Sequence, residues 1–122
     1  MTEKEKIIAV DFDGVIHDYL NPIEGRRMGA PITGAKECLH QLHLNGYKIV
    51  VFSNRGGSDA GKKSITDFME YYHLEYDEVT DTKPNAVAFL DDRAIHFDNW
   101  SSIWLPLRLI EERQGYEPSI EN

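Results

Sequence analysis

Asp11 and Asp13 flank Phe12 in Asp11-Phe-Asp-Gly-Val15, directly after the apolar run Ile7-Ile-Ala-Val10. Side chains two apart on an extended backbone point the same way, so both carboxylates face one site. Carboxylates that close repel unless a cation lies between them or one keeps its proton. Either outcome is useful chemistry. A hard divalent cation such as Mg2+ takes oxygen ligands and keeps several waters. A carboxyl group that keeps its proton serves as a general acid.

Three further positions could join the pair. Ser53 follows Val50-Val-Phe52 and offers a hydroxyl to a phosphate oxygen. Lys83, in Thr82-Lys-Pro-Asn85, offers an ammonium of the kind that stabilises a phosphoryl group. Asp91 and Asp92 end Phe89-Leu-Asp-Asp92 and add oxygen ligands for a metal. Singly, each has a plainer explanation. Ser53 suits a cap or turn, Lys83 a solvated surface, and the acidic pair a surface contact with Arg93. The order of all four carries the signal.

These residues need elements to position them. Residues 7–10 read as a buried strand. Residues 14–33 contain Gly14, Pro22, Gly25, Gly29 and Pro31, the chemistry of a loop or hairpin. A helix is expected over 34–45, with Ala35, Leu39 and Leu42 on one face and Gly46 closing it. Residues 47–52 read as a second buried strand and Ser53-Asn-Arg-Gly-Gly57 as a polar turn. A second helix over 59–72 carries the stripe Ile65, Phe68, Met69 and Tyr72. Strands follow at 76–80 and 86–90, with a short edge strand at 94–97. Asp98 or Asn99 caps a last helix from 100 to about 113, and 115–122 is a loose tail. Apolar strands alternating with amphipathic helices give an α/β fold. The expected architecture is a Rossmann-like three-layer α/β/α sandwich with a mainly parallel sheet, one domain over 1–114. In such sheets ligands bind at the carboxyl ends of strands, where Asp11, Ser53 and Asp92 would meet.

Composition sets the outer limits. The chain has 122 residues, and 13 Lys+Arg against 21 Asp+Glu give a formal net charge of -8. That opposes a sequence-blind nucleic-acid binder, which carries a basic face. The single cysteine, Cys38, excludes an intramolecular disulfide framework and a Cys-rich zinc site, and suits a reducing cytoplasm. The charged start, Met1-Thr-Glu-Lys-Glu-Lys6, lacks the apolar region of a signal peptide. No apolar run approaches the roughly 20 residues that cross a bilayer.

The ordered set resembles the haloacid dehalogenase superfamily of phosphatases and phosphotransferases. Asp11-Phe-Asp-Gly-Val15 is similar to its first motif, Ser53 to the second, Lys83 to the third, and Phe89-Leu-Asp-Asp92 to the acidic fourth. The resemblance spans residues 7 to 97. It implies that Asp11 attacks phosphorus to form an aspartyl-phosphate. Asp13 then protonates the leaving alcohol and later activates the hydrolytic water. The dehalogenase branch lacks this second aspartate, so its presence favours phosphate chemistry. Mg2+ would be held by Asp11, the backbone carbonyl of Asp13 and one of the final pair. Analogy favours Asp92, with Asp91 supporting it from behind. Ser53 and Lys83 would bind the phosphoryl oxygens.

Many relatives carry a cap domain after the first motif or between the second and third. Here 39 residues separate Asp13 from Ser53 and 29 separate Ser53 from Lys83, room for one helix with its loops each. A member with no separate cap domain is expected, with the 14–33 segment as a small flap. That segment carries His17, Asp18, Tyr19, Arg26 and Arg27, and Arg26 or Arg27 could pair with a second anionic group of the substrate. Asn54 and Arg55 follow Ser53 and are candidate substrate contacts. His40 and His43 are three apart on a helix, but no third metal ligand is evident. Trp100, Trp104, Leu105, Leu107 and Leu109 read as core or contact residues, whose exposed part would support a homo-oligomer.

The leading expectation is an Mg2+-dependent phosphatase acting on a small phosphorylated metabolite. A polynucleotide-end phosphatase is the rival within the superfamily, since those enzymes share a closing Asp-Asp-Arg like Asp91-Asp-Arg93. A non-catalytic phosphate- or Mg2+-binding module is the rival from another class; the intact motif set opposes it. A receiver-like signalling domain ranks below both, because the Asp-x-Asp-Gly pattern follows the first strand.

Overall fold

The computed structural model describes residues 5–26 and 28–120. Arg27, the residues before Glu5 and the last two of the tail lie outside the described residues. The chain divides into two compact units, with the division between Asp91 and Asp92.

The first unit is built on a four-stranded sheet whose pairings are all parallel. β1 (Ile7–Asp11), β4 (Lys48–Phe52), β5 (Glu78–Thr80) and β6 (Ala88–Leu90) lie in the order β5-β4-β1-β6. Between β1 and β4 the chain forms an antiparallel hairpin, β2 (His17–Pro22) with β3 (Gly29–Pro31), and then α1 (Ala35–Leu44). The expected flap is therefore a hairpin. A 3-10 turn (Asn54–Gly57) and α2 (Asp59–Tyr71) link β4 to β5.

The period-two pattern of the strands decides what is buried. Ile8 and Val10 of β1, Ile49 and Val51 of β4 and Val79 of β5 share one cluster with Leu39 of α1 and Ile65, Phe68 and Met69 of α2. Parallel crossovers are right-handed, so two moving the same way along a sheet place both helices on one face. Each large apolar side chain buried there contributes about 1.5–3 kcal/mol. Helix ends are fixed locally: Ser58 Oγ accepts from Gly61 N–H at 3.0 Å, and Asn45 Nδ2 donates to Gln41 O at 2.7 Å. The fold is α/β with a mainly parallel, Rossmann-like sheet, as expected.

In the second unit a 3-10 turn (Trp100–Ile103) capped by Asn99 leads into α3 (Trp104–Arg113). Two expectations are corrected here. Residues 94–97 form no strand. Asp91 and Asp92 both send a carboxylate into one cluster, which the alternation of a strand forbids; the chain bends and leaves the sheet. The 115–119 segment is also not loose. Ser119 donates its N–H and O–H to the Glu111 carboxylate at 2.9 and 2.6 Å. Those bonds hold Glu111 below the ordinary glutamate range. Among the described residues no helix is long and apolar enough to cross a membrane.

Candidate functional site

Strand register brings the sequence motifs to one sheet edge. Asp11 lies opposite Phe52, and Val10 opposite Leu90. Asp11, Ser53 and Asp91 therefore sit at the carboxyl ends of three adjacent strands, with β1 in the middle. The connection from β5 to β6 crosses β1, and in open parallel sheets such a reversal marks the ligand crevice.

One carboxylate oxygen from each of Asp11, Asp91 and Asp92 lies within 4.8 Å of the other two. Asp92 Oδ1 is buried and has no hydrogen-bond partner among the described residues. Its cationic neighbour is Arg93 Nε, at 4.0 Å, beyond hydrogen-bond reach. A buried carboxylate oxygen left without a donor is costly. A hard divalent cation would satisfy it, and an all-oxygen donor set suits Mg2+. The residues present thus fit such an ion. Both members of the acidic pair contribute an oxygen, so Asp91 stands beside Asp92 in the cluster.

Asp13 is held from two sides. Arg55 Nε donates to its Oδ2 at 2.7 Å and Arg55 Nη2 to its Oδ1 at 3.2 Å. This is a two-pronged charge-assisted pair, more directional than a lysine contact. Arg55 also stands 5.9 Å over the Phe12 ring. From the other side, His17 Nδ1 lies 2.7 Å from Asp13 Oδ1. Arg55 is partly solvent-exposed, whereas His17 is buried.

The loop that makes this contact is closed by its own backbone. Ile16 and His17 N–H both donate to Phe12 O, at 2.9 and 2.8 Å, and Gly14 N–H donates to His17 O at 2.9 Å. The sequence places His17 only in the flap; its signal there is a separation of four residues from Asp13 across a glycine turn.

The remaining candidates are distributed less evenly. Ser53 is buried, caps the 3-10 turn and accepts from Arg55 N–H at 3.2 Å. The hydroxyl so oriented retains a proton to donate. Asn54 is exposed on that turn. Lys83 is exposed, three residues beyond the end of β5, with Nζ 4.7 Å over the Phe89 ring. Arg26 stands 5.8 Å over the Tyr71 ring of α2, and the hydrogen bond with Tyr71 raises its pKa further. It lines an open cleft of about 370 Å3 with Met28, Asp67 and Tyr72.

No protein-family model matches the sequence, and no curated protein matches it. Two solved structures are similar. A conserved protein from Bacteroides thetaiotaomicron is 23% identical, covers 90% of this chain and 93% of its own, and has a TM-score of 0.60. A structural-genomics target from Vibrio cholerae is 24% identical, covers 88% and 98%, and has a TM-score of 0.50. At these identities the likeness shows the fold alone.

Proposed function

We propose that this protein is an Mg2+-dependent phosphomonoester hydrolase that acts on a small cytoplasmic metabolite through an aspartyl-phosphate. The observation that carries the reading is the meeting of Asp11 with Asp91 and Asp92 at the end of β1, where Asp92 Oδ1 is buried without a donor. The haloacid dehalogenase motifs resembled by the sequence add to it.

In the first half-reaction an Asp11 carboxylate oxygen bonds to phosphorus as the bond from phosphorus to the ester oxygen breaks. Asp13 gives its carboxyl proton to that oxygen, and the alcohol leaves. In the second, water gives a proton to Asp13 while its oxygen bonds to phosphorus. The Asp11–phosphorus bond breaks and inorganic phosphate departs. Asp11, the Asp91–Asp92 pair and, as the resemblance implies, the Asp13 carbonyl would hold Mg2+, which would supply charge neutralisation where two anions approach. The Ser53 hydroxyl, Asn54 and the Lys83 ammonium bind phosphoryl oxygens. Arg55 has two partners to choose between. Paired with Asp13 it occupies both carboxylate oxygens; drawn to an incoming phosphoryl group it leaves Oδ2 open to exchange a proton.

The test is phosphate release from sugar phosphates, nucleotides and 3′-phosphorylated oligonucleotides, with Mg2+, with EDTA and with Asp11→Asn. Release that requires both Mg2+ and Asp11 is expected, with small phosphates preferred over oligonucleotide ends. Activity surviving in Asp11→Asn overturns the mechanism.

A further inference from the structure

We infer that His17 is the positioning residue for Asp13, and that it fixes Oδ2 as the oxygen that carries the transferred proton. The inference rests on the phosphatase reading of Asp13.

Buried polar side chains are costly unless satisfied, and both nitrogens of His17 are. Gly29 N–H donates to Nε2 at 2.9 Å. A backbone amide only donates, so Nε2 is the acceptor and carries no proton. The ring's proton in this tautomer lies on Nδ1, which donates it to Asp13 Oδ1 across 2.7 Å. A ring flip would exchange both nitrogens for carbons and lose both bonds. Packing opposes the flip as well. The ring stacks on Phe12 with centroids 5.2 Å apart and meets the Phe68 ring at 72° and 5.3 Å.

The two partners of Asp13 therefore differ in kind. Arg55 is exposed on the 3-10 turn, open to an incoming anion, whereas His17 is 2% exposed and locked between the core and β3. When Arg55 leaves, Oδ1 still accepts from Nδ1–H. Oδ2, the oxygen that Arg55 Nε held at 2.7 Å, becomes the free one. The proton given to the leaving alcohol therefore sits on Oδ2.

The first test needs no turnover. A long-range 1H–15N spectrum of the wild-type protein should show His17 protonated at Nδ1, and an Nε2-protonated ring overturns the inference. The second compares leaving groups in single turnovers with Mg2+. Dinitrophenolate departs without a proton, whereas a simple alkoxide needs one. A positioned general acid contributes about 10²–10⁴-fold. His17→Leu, which has no donor, should slow alcohol release from an alkyl phosphate by about 100-fold with KM little changed. It should slow dinitrophenol release by less than about fivefold. His17→Asn places an amide N–H near the Nδ1 position and should recover at least about tenfold of the alkyl loss. Equal losses on both esters, or no recovery in a folded His17→Asn, overturn the positioning role alone. A wild-type protein that releases neither alcohol overturns the phosphatase reading and the positioning role with it.

Discussion

Replacing Gly29 by alanine should destabilise the protein by a margin that the hairpin geometry sets. A Cβ on Gly29 would stand 2.0 Å from Asp18 O and 2.8 Å from Asn21 O, both backbone atoms. Tolerated contacts begin near 3.0 Å, so β2 and β3 must part by about 1 Å, and forced shifts of this kind cost about 1–3 kcal/mol. The same displacement carries Gly29 N–H out of reach of His17 Nε2, now 2.9 Å away. A buried acceptor left unsatisfied costs a further ~1–3 kcal/mol. The hairpin cannot simply detach, because Ile16 and His17 lie in the core. The sum is about 2–6 kcal/mol, and at roughly 3–5 °C per kcal/mol for a chain of this size the melting temperature should fall by at least about 6 °C. Thermal unfolding followed by circular dichroism measures it. A midpoint within about 2 °C of wild type, with the His17 tautomer unchanged in the NMR spectrum, refutes the reasoning.

Three other outcomes follow from the structure. A double-mutant cycle of Asp13→Asn and Arg55→Ala in urea should give a coupling of about 1 kcal/mol, small because both side chains are partly solvated. That coupling should shrink in high salt; a salt-independent value would contradict the open geometry. Ile65→Ala removes a wholly buried side chain from the cluster between α2 and the sheet. It should cost about 2–5 kcal/mol in urea unfolding with an unchanged m-value. Glu111, held low by Ser119, contributes stability present above its unfolded-state pKa and lost as pH falls through its lowered folded value. Ser119 amide resonances should therefore move toward unstructured positions only in acid below the ordinary glutamate range, and Glu111→Gln should show that shift at neutral pH.

The elements that built their own signal were readable. Ile49 and Val51 alternate in a short apolar run, and Ile65, Phe68 and Met69 recur at helical spacing; all five are in the core. Asp11 was placed by the run before it, and register carried Asp91 to the same edge. What the sequence hid depends on close approach in space. Residues 14–33 read as Gly- and Pro-rich loop, and the pairing that buries His17 turns on the missing side chain of Gly29. The Arg55–Asp13 pair joins residues 42 apart. The Asp91–Asp92 dipeptide was visible, but strand alternation would send only one of the two inward. The bend that ends β6 sends in both, and no strand forms at 94–97.

The central claim is that Asp11 becomes phosphorylated during turnover. Acid quenching during hydrolysis of an aryl phosphate with Mg2+, followed by peptide mapping in a mass spectrometer, tests it most directly. One phosphoryl group on the peptide containing Asp11, absent with EDTA and in Asp11→Asn, is the predicted result. Phosphate released at full rate with no phosphoryl-enzyme on that peptide would contradict the account.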